Sequence, residues 1–320
     1  MNKHPILAYI TTGLLLIITI IIALFVGASG FSMSTGLHAL VTGHPATVLN
    51  TMLTIRLPRI VAALISGALL SVAGAFFQSA LRNPIADPSI LGISAGADLL
   101  MLLGGILFPA FFFTKLIFAL IGGLIAFGIL IIFQTKVNPY RLVLIGIAIN
   151  AVLVSLKQIF TPTTGSSTSV SLSTITWSTT TILLVLGIIG LMIALIVAPL
   201  TNYLKIGDQQ LKALGLAVNK VKTGLLLLGV YLTCFVTANV GVLPFLGIIV
   251  PHLSRSLVGN DYRQVIPFAT IAGALLMLIA DTIGRTVVIP SEIPAAALLT
   301  IIGGPYLIYI LTQKGVQHEN

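Results

Sequence analysis

Long apolar runs follow one another along almost the whole chain, and only short polar segments separate them. A bilayer core about 30 Å thick is crossed by a helix of roughly 20 apolar residues, so each run predicts a membrane-spanning helix. The first run, Ile6 to Val26, follows Lys3 and lacks a convincing small-residue cleavage site. We therefore interpret it as a retained first span and not as a signal peptide.

Ten helices are predicted in this way, in a single transmembrane domain over residues 1–320. The run at 245–259 contains a proline and is too short for a full crossing, so it predicts a short or tilted helix. The Ser- and Thr-rich stretch 161–180 predicts a surface excursion with one short helix around Trp177. The predicted helices cover residues about 6–28, 57–81, 91–107, 115–134, 141–160, 181–201, 223–240, 245–259, 264–284 and 294–312.

Composition supports an all-α integral membrane protein. Hydrophobic residues make up 57% of the 320 residues and charged residues 7%, and the mean hydropathy is +1.14, whereas a soluble domain carries about a quarter charged residues. The net charge of +9 would suggest nucleic acid in a soluble protein. In a membrane protein, orientation and contact with anionic lipid explain it better. The one cysteine, Cys234, lies in an apolar run, so neither a disulfide framework nor a cysteine metal site is expected.

Basic residues are distributed unequally between the two sides. With the N-terminus inside, eleven of the 16 Lys and Arg residues fall on the inner side and five on the outer side. Cytoplasmic loops carry the excess of Lys and Arg, so both termini are predicted to be cytoplasmic. The five outer cations are Arg56, Arg59, Lys115, Lys157 and Arg285.

Motifs for nucleotide binding and catalysis are missing from the sequence. It has no G-x-x-x-x-G-K-[ST] phosphate loop, so no ATP site of its own is predicted. It also lacks H-E-x-x-H, G-x-S-x-G and paired carboxylates at helical spacing. We therefore expect no enzyme activity, no metal site and no cofactor in this chain.

A few ionisable residues interrupt the apolar helices, where charge is costly and usually functional. Asp98, near the start of the third helix, either lines a pathway or reaches water at the helix end. Asp281 stands four residues before Arg285, a spacing that favours a local ion pair. His38 and His44 lie in an outer loop, where they are either solvated or in contact with a haem-like substrate.

Small residues recur along one face of the second helix. Gly67, Ser71 and Ala75 are spaced four apart, which permits close packing against another helix in lipid, although small residues are common in membrane helices. The tetrapeptide GALL occurs at 67–70 and again at 273–276. A five-plus-five internal repeat would pair other helices, so we treat this echo as a coincidence.

One polar segment stands out, residues 202–222, which contains GDQQLKALGLAVNKVK and is predicted to be cytoplasmic. Asp208 suits the start of a short helix, Leu211 and Leu214 give it an apolar side, and Gly215 suits its C-cap. A helix of this kind fits a groove on a cytoplasmic partner. The pattern equally fits a solvated inner loop with lysines, and the residues alone leave both interpretations open.

Taken in order, several segments resemble the permease family of bacterial ABC importers for iron chelates, haem and cobalamin. They are RLPRIVAALISGALLSVAGAFFQSALRNPIADPSILGISAGA at 56–97, the ALGL of the polar segment, GVLPFLGIIVPHLSRSLVGNDYR at 241–263 and ADTIGRTVVIPSEIPAAALLTIIGGPYLIYIL at 280–311. The resemblance spans most of the chain in the order and spacing of the family. The sequence departs from it at NDYR, where DHR is frequent, and at Asp98, where a small uncharged residue is usual.

The resemblance implies a fold like that of the cobalamin-importer permease, with two ten-helix subunits around a central pathway in a bacterial cell membrane. It implies two cytoplasmic ATPase subunits and an extracytoplasmic substrate-binding protein as partners, and we expect the permease pair to be a homodimer. Residues 202–222 become the coupling segment that docks on the ATPase. Its candidate contact residues are Asp208, Gln209, Leu211, Lys212, Leu214 and Gly215.

The outer arginines gain a role by the same resemblance. Arg56, Arg59 and Arg285 match family positions that face acidic residues of the binding protein, and a planar guanidinium suits carboxylates. Anchoring to lipid headgroups is the alternative. The candidates for the lining of the pathway are Gly67, Ser71 and Asp98.

The predicted function is the permease subunit of an ATP-driven importer for haem, a ferric siderophore or cobalamin. The alternative is an ion-coupled secondary carrier, which would use Asp98 or Asp281 and need no ATPase.

Overall fold

The computed structural model is all-helical over the part of the chain that it describes, as predicted. It describes residues 5–27, 32–109, 113–134, 136–161, 171–206, 210–211, 217–289 and 291–315, with 313–315 as backbone only. The α-helices in these ranges are α1 (Pro5–Phe25), α2 (Met33–Thr42), α3 (Ala46–Asn50), α4 (Leu57–Ala80), α5 (Ile93–Leu107), α6 (Thr114–Gln134), α7 (Pro139–Phe160), α8 (Trp177–Tyr203), α9 (Val218–Val240), α10 (Leu246–Val258), α11 (Tyr262–Gly284) and α12 (Ala295–Gly315). A π-helical turn, Thr51–Arg56, joins α3 to α4, and a 3-10 turn, Leu172–Thr174, precedes α8.

Ten apolar helices form the membrane domain within the described ranges. Eight of them are long and apolar enough to cross a membrane, with α3, the π turn and α4 counted as one. The shorter apolar helices α5 and α10 complete the set. The number agrees with the ten helices that the apolar runs predict.

The outer segment after α1 contains α2, a helix that the apolar pattern does not predict. The hydroxyl of Ser32 accepts the N–H of Thr35 at 3.2 Å, and Gly43 ends the helix with a φ of 77°. Nδ1 of His38 lies 3.0 Å from the carbonyl oxygen of His44. This ring therefore has a local partner, and its contact with a haem-like substrate stays a prediction.

The second membrane helix is longer than the sequence suggests. It runs without a break from Ala46 to Ala80, whereas the apolar pattern places its start at residue 57. Pro58 makes the later start look plausible, because proline is favoured in the first turn of a helix. In the structure, however, Pro58 lies inside a longer helix.

A π turn and a distant tryptophan accommodate this proline. The N–H of Leu57 donates to the carbonyl of Met52, five residues earlier. With the same spacing Pro58 would donate to the carbonyl of Leu53, but proline has no N–H. Nε1 of Trp177, the first residue of α8, donates to that carbonyl instead at 2.7 Å. A side chain from the outer end of α8 thus supplies the hydrogen bond that Pro58 cannot donate within the helix that contains α4.

The helix containing α4 forms the centre of the bundle and packs against α8, α9, α10 and α11. In its most apolar window 83% of the residues are buried, against 11% in α1 and 17% in α7. The central helix is therefore a core element. The helices α1 and α7 present most of their apolar surface to lipid or to another subunit.

Glycines bring α4 and α11 into backbone contact. A Cβ on Gly67 would lie 2.1 Å from the carbonyl oxygen of Gly273, and a Cβ on Gly273 would lie 2.1 Å from Oγ of Ser71. No side chain fits at such distances, so this is the close packing that small residues permit. The two GALL segments, 67–70 and 273–276, meet at this crossing, which gives the echo a role in packing. Gly67 and Ser71 are covered by α11, and their place in a pathway stays a prediction.

Candidate functional site

Two arginines and two carboxylates meet at the end of the bundle that is predicted to be outer. Arg59 donates from Nε to Oδ2 of Asp281 at 3.1 Å, from Nη2 to Oδ1 of Asp281 at 2.8 Å, and from Nη1 to Glu292 at 2.8 Å. Nε of Arg285 lies 3.6 Å from Asp281, which confirms the predicted local pair. Bidentate pairing of Arg with a carboxylate is among the strongest charged contacts in proteins. The side chain of Asp281 is fully buried and that of Glu292 is 30% exposed, so Glu292 faces solvent.

All three candidate docking arginines, including Arg56, point into their own chain. Arg56 is 3% exposed, Arg59 9% and Arg285 3%. Arg56 donates to the carbonyl of Leu24 at 2.8 Å and Arg285 to that of Ala23 at 3.0 Å. These two carbonyls belong to the last turn of α1, so the arginines fasten α1 to the bundle. Their contact with a binding protein stays a prediction.

The segment between α4 and α5, residues 81–92, is non-helical and mostly buried. Since α5 has 15 residues, it spans about 22 Å, less than the roughly 30 Å of the hydrocarbon core. Its first residue therefore lies below the membrane surface if its last residue reaches the opposite surface. Non-helical backbone is tolerated at that depth only where polar groups are satisfied inside the protein. Asp87 accepts the N–H of Ser89 at 2.7 Å, and Asn83 accepts that of Ile85 at 3.1 Å.

Asp98 lies in the second turn of α5 and forms an ion pair with Lys157 in the last turn of α7. Nζ donates to Oδ2 at 2.6 Å, and the side chains are 28% exposed for Lys157 and 16% for Asp98. The carboxylate therefore contacts a neighbouring helix, which neither alternative from the sequence includes. Its role in a pathway stays a prediction.

Two cavities flank this ion pair. One of about 620 Å³ lies between α5, α7 and α12, and its lining includes Asn150 and Gln158. The other, of about 550 Å³, lies between α5, α6 and α8, and its lining includes Lys115. Asp98 and Lys157 are the two residues that line both. The ion pair thus forms part of the wall between two open spaces.

At the opposite end of the bundle, Arg82 holds the chain that leaves α8. Its Nε donates to the carbonyl of Leu204 at 3.1 Å and its Nη2 to that of Ile206 at 2.7 Å. Arg82 itself has a φ of 50°, which is uncommon for a residue with a side chain. The inner end of the central helix is therefore fastened to the start of segment 202–222.

A second anchor joins the end of α8 to the start of α11. Asn202 donates to Asp261 at 2.7 Å and accepts the N–H of Tyr262 at 3.0 Å. Asp261 also caps α11 by accepting the N–H of Arg263 at 2.9 Å, and this bond lowers the pKa of Asp261 below its usual value. Lys205 donates to Asn202 at 2.6 Å, and burial lowers the pKa of Lys205.

Among the candidate ATPase contacts, Leu211 lies in the described part of the chain. It is 1% exposed and belongs to the apolar core of its own chain, so its side chain is already packed and not presented as an exposed anchor. The other candidates lie outside the described residues: Asp208, Gln209, Lys212, Leu214 and Gly215. The docking of segment 202–222 on an ATPase stays a prediction.

Sequence reasoning missed Glu292 and the partner of Lys157. A usable signal existed, because the chain has only seven acidic residues against 16 basic ones. Each carboxylate near an outer cation was therefore a candidate partner. Three-dimensional contact decided between them, since Asp98 and Lys157 are 59 residues apart and Arg59 and Glu292 are 233 apart.

Known sequences match this chain over nearly its full length. Residues 15–313 match the sequence profile of the FecCD transport family. A Staphylococcus aureus protein (strain MSSA476) named "Probable heme-iron transport system permease protein IsdF" is 38% identical over 315 residues. The match covers 98% of this chain and 97% of that protein, and the protein of the same name from strain Newman matches to the same extent.

Solved structures give the same picture. A structure titled "An inward-facing conformation of a putative metal-chelate type ABC transporter" superposes with a TM-score of 0.81 at 26% identity, over 97% of this chain and 100% of that chain. PsaBC from Streptococcus pneumoniae, solved in complex with a Fab, superposes with a TM-score of 0.61 at 16% identity, over 87% of this chain and 94% of that one. At that lower identity the likeness shows the fold alone.

Proposed function

Because this chain belongs to the FecCD transport family, and is thus a multi-pass membrane permease of the ABC importer type, we propose that its cargo is an iron chelate. Haem is the first candidate, since the name of the IsdF relative refers to heme-iron transport. Ferric siderophores and cobalamin are the other candidates. The observation that carries this proposal is the 38% identity over 98% of the chain.

Energy for transport comes, in this proposal, from a separate ATPase on the cytoplasmic side. The sequence has no phosphate loop, and the distribution of Lys and Arg predicts that the polar segment 202–222 lies on that side. The contacts of Arg82 and Asn202 support a coupling role for this segment, because they tie it to the inner ends of α4 and α11. A displacement of this segment would therefore be transmitted directly to the central helix and to α11.

In this proposal, a substrate-binding protein docks at the outer charge cluster, which consists of Arg59, Arg285, Asp281 and Glu292. A cavity of about 400 Å³ opens beside this cluster, and Arg59, Asp281 and Glu292 are part of its lining. We propose that an acidic side chain of the binding protein enters here and competes with Glu292 for Arg59. Glu292 is the more exposed of the two carboxylates that contact Arg59, so its contact is the easier one to replace.

A second copy of the chain is the proposed permease partner. The helices α7 and α12 have apolar windows that are 17% and 22% buried, and both border the cavity of about 620 Å³. A subunit placed against these two helices would cover apolar surface and close the cavity into a pathway.

The proposal is tested by reconstitution into proteoliposomes with the ATPase and binding protein from the neighbouring genes. We expect haem uptake that needs ATP and the binding protein, that vanadate stops and that a protonophore leaves unchanged. A catalytically inactive ATPase variant is the matched control.

The ion-coupled carrier is the second candidate, because the Asp98–Lys157 pair places ionisable groups within membrane helices. Uptake that continues without the ATPase and ceases with the protonophore would establish this carrier and overturn the ABC importer.

A further inference from the structure

The side chain of Lys157 points between helices of its own chain, at a position where a lysine side chain usually extends toward water. It lies in the last turn of α7, close to the predicted outer surface, where a long basic side chain normally extends toward water. Its ammonium group instead contacts Asp98 on α5, and 28% of the lysine side chain is exposed. The lysine thus directs its charge between two helices.

Stability does not account for this ion pair. A partly exposed ion pair contributes about 1 kcal/mol or less to stability, and the side chains of Lys157 and Asp98 are 28% and 16% exposed. A reason other than packing is therefore needed for the pair.

The face of α7 that contains Lys157 carries several polar side chains among apolar ones where it borders the larger cavity. Asn150, Val154, Lys157, Gln158 and Thr161 follow one another at intervals of three, four or one residue, and all five line the cavity of about 620 Å³. Such spacing places them on one side of the helix. The amides and the ammonium offer N–H donors along this side.

Charge around the pair is compatible with an anionic ligand. Among the described residues, the cavity of about 620 Å³ is lined by one ammonium group, that of Lys157, and one carboxylate, that of Asp98, and the other cavity adds a second ammonium group, that of Lys115. Lys157 is also more exposed than Asp98. An ammonium has three N–H donors, so Lys157 has the capacity to bind a second carboxylate while it keeps Asp98.

We propose that Lys157 is a carboxylate-binding residue of the translocation pathway, and that Asp98 is a positioning residue that holds Lys157 toward the cavities. The ligand is a chelate with acidic side groups, such as the propionates of haem, and a chelate without them gains nothing from this site. The inference rests on the proposed function, because it needs cargo to pass between α5, α7 and α12.

Haem uptake by the complete importer in proteoliposomes tests the inference. Lys157→Gln is expected to lower the initial uptake rate about tenfold, because it removes a charged hydrogen bond. Lys157→Arg is expected to retain uptake within about twofold, since guanidinium also binds carboxylates. Lys136→Gln removes the same charge from an exposed residue in the turn before α7 and serves as the matched control with unchanged uptake.

A double variant separates cargo binding from a purely structural ion pair. If Lys157 binds cargo, Asp98→Asn alone lowers uptake less than Lys157→Gln does, because Lys157 keeps its charge and loses only its positioning partner. The double variant Lys157→Gln with Asp98→Asn then stays as slow as Lys157→Gln alone. If the pair is only structural, each single variant is slow and the double variant recovers. That recovery overturns the inference, and so does an unchanged rate in Lys157→Gln.

These results are distinguishable from failure of the proposed function. Wild-type importer that takes up no haem in an ATP-dependent way overturns haem as the cargo, and the inference with it. Wild-type uptake combined with either overturning result leaves the permease function intact and removes only the role of Lys157.

Discussion

The central helix and α7 both cross the membrane with a basic residue near the predicted outer end, yet the two ends differ in kind. Arg59 on α4 contacts Asp281, and these side chains are 11% and 0% exposed. Lys157 on α7 contacts Asp98, and these side chains are 28% and 16% exposed, with a cavity on each side. The first ion pair is the more buried of the two and borders a cavity of about 400 Å³, whereas the second lies between two larger cavities.

This difference teaches that an ion pair has to be interpreted from its surroundings. A more deeply buried charge loses more when its partner is removed, so both members of the pair between α4 and α11 are important for stability. A charge with a larger exposed fraction keeps access to water or ligand. The pair on α7 is therefore free to exchange partners, which a binding site requires.

The largest expected effect is that of Asp281→Ala. The change leaves Arg59 and Arg285 enclosed without the carboxylate that they both approach, and loss of one partner of a buried pair costs about 3–5 kcal/mol. We expect a large fall in the thermal unfolding midpoint of the purified protein in detergent. Glu292→Ala is the control, with a much smaller fall because Glu292 is 30% exposed. Equal falls would show that Asp281 has no special place in the cluster.

Gly67→Ala tests how tightly the central helix is packed. The new methyl group would lie 2.1 Å from the carbonyl oxygen of Gly273, so α4 and α11 must separate, at a cost of about 1–3 kcal/mol. Gly128→Ala in α6 is the matched control, because a Cβ there meets nothing within 4 Å. The unfolding midpoint should fall for the first variant and stay or rise for the second. A midpoint unchanged at Gly67 would contradict the backbone contact.

The smallest expected effect on stability is that of Asp98→Ala. Lys157 borders two cavities and keeps access to water, so loss of its partner costs about 1 kcal/mol or less, as for other partly exposed ion pairs. The same thermal measurement applies, with Asp281→Ala beside it. A fall as large as that of Asp281→Ala would remove the distinction between the two ion pairs.

The sequence predicted the all-helical membrane domain because hydropathy is a local property. The apolar runs also indicated ten helices, including the short one that the structure gives as α10, Leu246–Val258. The pair between Asp281 and Arg285 was predictable too, since both partners lie on neighbouring turns. In each case the decisive residues are close together in the chain.

Features that depend on distant residues were not predictable in this way. The second membrane helix starts at Ala46 and continues past Pro58, and its carbonyl at Leu53 is bound by Trp177, which is 124 residues away. The inward direction of the outer arginines needs Asp281 and the end of α1. Leu211, which a local pattern presents as an exposed anchor, is covered by other parts of its own chain.

Trp177 is the single tryptophan of the chain, and its indole N–H binds the π turn that leads into α4. The protein therefore has a built-in fluorophore at the junction of α8 with its central helix. Indole emission shifts when the hydrogen bond or the polarity around the ring changes. Movement of α8 relative to α4 at the outer end thus has an optical signal in the unlabelled permease.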